Sequence, residues 1–237
     1  MGDPHQILRR AGLLAGLAMI AVVPYAYRSA YTFADAVRRT ARLSPEEVLR
    51  ADLISLATLI VLAALVGSAF SERYRLGGLG RWPTLGTMRL HLVLAPVVGV
   101  VSYLAFGRVL ATRLPGTFPE DLGWALAYAV KGAIFDEVVA RYGLMTIFAG
   151  LTRPAVANLL QATFFTATIW KGLGFFGVDA SYDAYFLLSV VSSFGLHLYL
   201  GSVYARHGLL PAMVLHFLYD LRFLLHALLL LAIPGSR

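Results

Sequence analysis

Two short clusters of ionisable residues interrupt the most apolar stretches of the sequence. The first cluster contains Asp136, Glu137 and Arg141. Glu137 and Arg141 are four residues apart, so on a helix they share a face and can form an ion pair. Asp136 is rotated by about 100° from Glu137 on an ideal helix. Where solvation is poor, two adjacent carboxylates repel, so one of them resists ionising. Such a carboxylate can act as a general base toward water. The alternative is a structural ion pair that holds two helices together.

The second cluster contains His216 and Asp220, which are again four residues apart. A carboxylate on the same helical face can fix the tautomer of an imidazole and support its charged form. Such a histidine can polarise a carbonyl group or hold a water molecule. The alternative is a polar patch that faces another helix. If the two clusters meet, they provide the groups needed to activate water and polarise a carbonyl.

The composition indicates that both clusters lie inside a membrane. Of the 237 residues, 59% are apolar and 14% are charged, and the mean hydropathy is +0.72. Soluble domains carry about 45–50% apolar and about 25% charged residues, so an ordinary soluble enzyme is excluded. The absence of cysteine excludes disulfides, thiolate metal sites and a cysteine nucleophile. The net charge of +7 comes mainly from scattered arginines, which is typical of loops at anionic lipid and not of nucleic-acid binding.

The apolar runs predict an all-α polytopic membrane protein with about seven transmembrane helices and a buried polar cavity. A spanning helix needs about 20 predominantly apolar residues. For the first run, a cleaved signal peptide is the alternative, although the run is longer than a usual apolar signal region. The predicted spans are residues 11–27, 45–70, 88–111, 117–149, 154–170, 184–205 and 209–233.

Two capping-box motifs predict where helices begin. The segment Ser44–Glu47 places serine, proline and glutamate at the positions that favour a helix start, and Thr117–Glu120 has a similar pattern. The helix that starts at Thr117 can run to about Ala149, with Gly150 as its stop. We expect one integral membrane domain, in which residues 1–115 supply N-terminal helices and loops and residues 116–237 carry the polar motifs.

The two clusters resemble the motifs of the CPBP family of intramembrane proteases, which comprises CAAX proteases and bacteriocin-processing enzymes and is also called Abi. Asp136-Glu137-x-x-x-Arg141 is similar to the first family motif, Glu-Glu-x-x-x-Arg, with aspartate for the first glutamate. His216-x-x-x-Asp220 is similar to the last motif, His-x-x-x-Asn/Asp. The segment 194–212, with its glycines and short basic turn, also fits the family. The resemblance covers about residues 122–223.

The resemblance implies an all-helical membrane fold and a glutamate-dependent endopeptidase that cuts near the C-terminus of membrane-associated or prenylated proteins. By position, Glu137 would be the general base, and His216 would stabilise the oxyanion or position water. Asp220 would stand where the family has its final Asn or Asp, and Arg141 would anchor the first motif. The expected partners are a membrane-embedded or lipidated protein or peptide and the lipid bilayer. We expect a multi-pass protein of a prokaryotic plasma membrane.

One family motif is incomplete in this chain. The middle motif, Phe-x-x-x-His, belongs on the helix after the first motif. If Phe165 is its phenylalanine, Ile169 takes the histidine position. If Phe164 is that phenylalanine, Thr168 takes the histidine position. A threonine can hydrogen-bond water but supplies no charge. His197 in the sixth span is the candidate replacement, and a histidine that is hydrogen-bonded between helices is its alternative.

Three functions follow from this pattern. The first is an endopeptidase with a reduced site, and the feature that would favour it is a second polar donor, His197 or Thr168, near Glu137. The second is an inactive relative that binds membrane proteins as a scaffold, which is favoured if Ile169 faces the cavity. The third is a proton- or ion-coupled transporter, because buried acid–histidine chains also mark ion paths.

No cofactor is expected, and a bound metal is the less favoured alternative. A catalytic zinc site needs three protein ligands, and the chain has no His-Glu-x-x-His motif. The zinc ligands available on paper are Glu137, His197, His216 and Asp220.

Other polar residues in the apolar spans are interpreted as structural. Lys131 lies six residues before Glu137, so it falls on a different face of an ideal helix and can reach toward the membrane interface. Arg222 and His226 are placed toward a helix end or on another face. In the fifth span, hydrogen bonds between helices are expected for the polar residues Asn158, Gln161, Thr163, Thr166 and Thr168, and the wall of a water-filled cavity is the alternative.

Overall fold

A bundle of seven helices makes up most of the chain that the structure describes, which confirms the predicted all-α polytopic fold. This computed structural model describes residues 3–32, 44–80, 83–113, 118–175 and 184–232. The helices are α1 (Pro4–Thr32), α2 (Pro45–Phe70), α3 (residues 85–113), α4 (residues 122–151), α5 (Pro154–Phe175), α6 (Ala184–His207) and α7 (Leu209–Ala232).

The outer surface of the bundle is suited to lipid. Within the described residues, α1, α2, α3, α6 and α7 contain segments that are long and apolar enough to cross a membrane. Large apolar side chains such as Leu13, Leu17 and Ile20 project outward from α1. Contiguous exposed apolar surface of this extent is typical of a membrane-facing protein. The chain is therefore an integral membrane protein.

The two predicted capping boxes have different outcomes. At the start of α2, the Ser44 hydroxyl accepts a hydrogen bond from the Glu47 amide at 3.2 Å, and Glu47 Oε2 accepts one from the Ser44 amide at 2.7 Å, which confirms the motif. The predicted start of α4 at Thr117 is wrong. Thr117 lies outside the described residues, and α4 begins at Leu122 after Asp121, which accepts from the Trp124 amide at 2.8 Å. Aspartate is a better N-cap than threonine.

Helix α4 departs from ideal α-helical geometry where the first polar cluster lies. Two π-helical stretches, Gly132–Asp136 and Val138–Met145, flank Glu137. In a π turn the backbone bonds residue i to residue i+5, so residues five apart come onto one face. Lys131 and Asp136 are five apart, and their charged groups lie 2.8 Å apart. Lys131 contacts Asp136 and not Glu137, so its predicted placement away from Glu137 is not contradicted, but its ion pair with Asp136 is not one that an ideal helix predicts.

The first helix is clamped to the first half of α4. Arg28 forms an ion pair with Asp121 at 2.8 Å and stacks over the Trp124 ring at 5.8 Å. One turn before Arg28 in α1, the ring of Tyr25 meets the ring of Tyr128, which lies one turn after Trp124 in α4, edge to face at 5.5 Å. These contacts hold α1 beside the part of α4 that leads into the polar cluster.

The loop after α2 binds the turn between α6 and α7. The amide of Leu209 donates to the carbonyl of Gly78 at 3.0 Å. Gly208 has a φ of +94°, and a Cβ on it would lie 2.6 Å from the backbone nitrogen of Gly80. Only glycine fits this close approach. The contact fixes the start of α7, and thereby the position of His216 two turns later.

We expect Gly208→Ala to lower the stability of the protein by about 1–3 kcal/mol, because alanine is strained at this φ and meets the backbone of Gly80. The thermal unfolding midpoint in detergent measures the effect. Gly195→Ala in α6 is the matched control, because nothing lies within 4 Å of a Cβ at that position. The control is expected to be unchanged or slightly stabilised. Equal midpoints for Gly208→Ala and the wild type would contradict this role of the turn.

Candidate active site

Helices α4 and α7 meet at a buried group of charged side chains. The side chains of Glu137 and Arg141 are 0% exposed, and Oε1 of Glu137 lies 2.8 Å from Nη1 of Arg141. Nδ1 of His216 lies 2.7 Å from the same oxygen. The two clusters seen in the sequence therefore meet at one carboxylate oxygen.

The second ring nitrogen of His216 faces another carboxylate. Its Nε2 lies 3.4 Å from Oδ2 of Asp220, and Oδ1 of Asp220 lies 3.5 Å from Nη2 of Arg222. Arg222 also donates a hydrogen bond to the hydroxyl of Tyr219. With a carboxylate at each nitrogen, the imidazole is fixed in orientation. Arg222, which was interpreted as structural, thus supports the acid that orients His216.

The two oxygens of the Glu137 carboxylate differ in their contacts. Oε1 is held by Arg141 and His216. Oε2 is fully buried, and within the described part of the chain it has no hydrogen-bond partner. Buried acceptors almost always have a partner, so an exception calls for an explanation. Oε2 is an acceptor that can take a proton from a water molecule without breaking an existing contact.

Asp136 is the more accessible carboxylate of the first cluster. Its side chain is 22% exposed and pairs with Lys131 through Oδ1. Gly132 brings three polar atoms together, because a Cβ there would lie 2.6 Å from Oδ2 of Asp220, 3.6 Å from Nε2 of His216 and 3.8 Å from Oδ2 of Asp136. The glycine thereby allows α7 to approach α4 at the site.

His197 lies behind Arg141 and not beside Glu137. Its Nδ1 is 2.8 Å from Nη2 of Arg141, and its ring packs 5.3 Å from that of Phe165. Because a guanidinium group can only donate, Nδ1 accepts this hydrogen bond, and the ring proton is on Nε2. In this geometry His197 positions Arg141 and bridges helices α4, α5 and α6.

Helix α5 contributes structural contacts at this level. Asn158 donates to the carbonyl of Leu198 at 2.9 Å, and Gln161 donates to the carbonyl of His197 at 3.0 Å, which confirms the expected bonds between helices for these two residues. The expectation is wrong for Thr163, which donates to the carbonyl of Leu159 in its own helix, and the buried hydroxyl of Thr166 has no hydrogen-bond partner among the described residues. Thr168 is exposed and donates to the carbonyl of Phe165 in its own helix, so it does not reach the site. The side chain of Ile169 lies outside the described part of the structure.

The four residues considered as zinc ligands do not converge. Glu137 and Asp220 bind opposite sides of His216, whereas His197 binds Arg141. Among the described residues, no group of three or more His, Asp or Glu side chains has an arrangement that could hold a metal ion.

The polar region of the chain is similar to a known protein family. Residues 118–222 match the family model described as Type II CAAX prenyl endopeptidase Rce1-like. The match confirms the resemblance to CPBP proteins and includes both charged clusters. No curated protein and no solved structure gave a significant match to the chain.

Three residues of the Rce1-like region lie at the site although the sequence did not assign them to it, namely Lys131, Gly132 and Arg222. Lys131 was missed because the π turns bring it onto the face of Asp136. One signal was available, since the chain has only two lysines and this one stands in an apolar run five residues before an aspartate. Nothing in the sequence marks Gly132, whose importance arises from the approach of another helix.

Proposed function

We propose that the chain is an intramembrane endopeptidase that hydrolyses a peptide bond near the C-terminus of a membrane-embedded or lipidated protein. The Rce1-like match of residues 118–222 supports this class of substrate. The observation that carries the proposal is the carboxylate of Glu137, in which one oxygen is anchored and the other is buried without a partner among the described residues. A prokaryotic plasma membrane stays our prediction for its location.

In the proposed reaction, Glu137 acts as the general base. The water oxygen forms a bond to the carbonyl carbon of the substrate, while a water proton passes to Oε2 of Glu137 and the carbonyl electron pair moves to oxygen. The C–N bond then breaks as Glu137 returns the proton to the leaving amine. No cofactor takes part in this mechanism.

The other charged residues keep these groups in place and stabilise the intermediate. Nε2 of His216 has only a long contact of 3.4 Å with Asp220, so its proton can be shared with the oxyanion of the tetrahedral intermediate. Arg141 pairs with Glu137 and compensates its charge inside the buried site. Asp220 fixes the orientation of His216, as the carboxylate does in other carboxylate–histidine pairs.

An inactive relative that binds its partner without cutting it is the second candidate. It is favoured by helix α5, where Ile169 or Thr168 occupies the histidine position of the middle motif. Thr168 is exposed and bonded to its own helix, and His197 contacts Arg141 instead of Glu137. The two candidates differ in one property, which is whether a bound peptide is cleaved.

We expect His216→Ala to reduce peptide cleavage by about 10²–10⁴-fold, because the oxyanion donor and the anchor of Glu137 are lost together. The substrate for the assay is a fluorescence-quenched peptide that ends in a prenylated CAAX sequence, presented to purified protein in detergent. His226→Ala is the matched control, because His226 lies on the same helix but binds the hydroxyl of Tyr103. Binding of the peptide without cleavage by the wild type would establish the inactive candidate.

A further inference from the structure

Lys131 and Asp136 form an ion pair that is partly accessible, as Arg222 also is. Their side chains are 18% and 22% exposed, whereas those of Glu137 and Arg141 are fully buried. The ammonium group of Lys131 also lies 5.2 Å from the ring centre of Phe135. On its other side it lies 5.4 Å from the ring centre of Tyr25 in α1. The position of the ammonium group is thus fixed by two rings and a carboxylate.

Each carboxylate of the group has its own cation. Arg141 pairs with Glu137 at 2.8 Å, and Arg222 lies 3.5 Å from Asp220. Lys131 fills the same role for Asp136, at 2.8 Å. Without Lys131, the group would hold three carboxylates around one histidine and two arginines. An unpaired Asp136 would then be free to turn toward the remaining cations and away from its present position.

Lys131 orients Asp136 through one oxygen only. It holds Oδ1, which leaves Oδ2 on the side of Gly132, where Nε2 of His216 also lies. Both atoms lie within 4 Å of the point where a Cβ of Gly132 would be, together with Oδ2 of Asp220, so an acceptor and a donor face the same point between α4 and α7. A peptide backbone presents the complementary pair, an N–H and a C=O group.

We propose that Lys131 is a positioning residue, which holds Asp136 as the acceptor for a backbone N–H of the substrate while His216 faces the substrate carbonyl. This inference rests on the proposed function. Through Asp136, α4 would make a polar contact with the substrate that helix α5 does not supply. Lys131 acts through Asp136 and does not itself touch the peptide.

The test measures both binding and cleavage of the prenylated CAAX peptide. Fluorescence anisotropy of a labelled peptide in detergent gives Kd, with an unlabelled competitor to remove the contribution of partitioning. We expect Lys131→Met to weaken binding by about tenfold or more, since a hydrogen bond to a charged group is lost. Lys131→Arg keeps the charge and is expected to retain binding within about threefold. Asp136→Asn is expected to match Lys131→Met.

The double variant tells a positioning role from a direct contact. If Lys131 acts through Asp136, Lys131→Met with Asp136→Asn binds no more weakly than Asp136→Asn alone. Multiplied effects would overturn the inference, and so would unchanged binding by Lys131→Met. Arg28→Met is the matched control, because it breaks the neighbouring ion pair between α1 and Asp121. If the wild type binds but does not cleave while these binding effects hold, the proposed function fails and the positioning role stands.

Discussion

Glu137→Gln is expected to abolish cleavage of the prenylated peptide, with a loss of at least about 10³-fold in kcat/KM. Glutamine has the shape of glutamate, and at the position of Oε1 its side-chain oxygen can still accept from His216 and lie beside Arg141. The group at the position of Oε2 becomes an amide, which cannot take a proton from water. The loss should therefore appear in kcat, while the Kd of the peptide changes little.

The control for this substitution is Glu72→Gln. Glu72 is also paired with an arginine, since its carboxylate lies 3.1 Å from Arg10, but the pair is exposed and lies outside the site. The control should cleave at the wild-type rate. Residual cleavage by Glu137→Gln at more than about a tenth of the wild-type rate would contradict the role of Glu137 as the base, because a lost general base costs about 10²–10⁴-fold.

Arg141→Met should give the largest loss of stability, about 3–5 kcal/mol, because it leaves a fully buried carboxylate without its cation. The substitution also removes the hydrogen bond that Arg141 donates to His197, which links α4 to α6. The free energy of unfolding in detergent, from denaturant or thermal melts, measures the effect. Arg10→Met is the control, since an exposed ion pair contributes about 0–1 kcal/mol.

A second substitution in the same background separates the charge from the packing. In Glu137→Gln with Arg141→Met, both charges are gone, so the protein should regain part of the stability that Arg141→Met lost. If the double variant is as unstable as the sum of the two single variants, the ion pair is not the cause of the effect.

Features that depend on local sequence patterns were predictable. The apolar runs give the helices, and the Ser44–Glu47 motif gives the start of α2, because both signals lie within a few residues of the structure they specify. The i,i+4 spacing of Glu137 and Arg141 correctly predicts their ion pair. The start of α4 was not predictable from one motif, because two caps compete there and the stronger one, Asp121, determines it.

Features that depend on how helices face each other were not predictable. The pairing of Lys131 with Asp136 could not be predicted because the sequence does not reveal π turns, which change the angle between residues five apart. The partner of His197 depends on the orientation of α6 relative to α4, which spacing within α6 does not determine. The role of Gly132 likewise appears only when α7 is in place.

The central claim is that this chain cleaves membrane proteins near their C-termini with Glu137 as the base. The most direct measurement compares protein C-termini in the membranes of two host strains, one with the wild type and one with Glu137→Gln at equal abundance. We expect new C-termini only in the strain with the wild type, in proteins that the purified chain also binds. Identical sets of C-termini in a host that makes such bound proteins would contradict it.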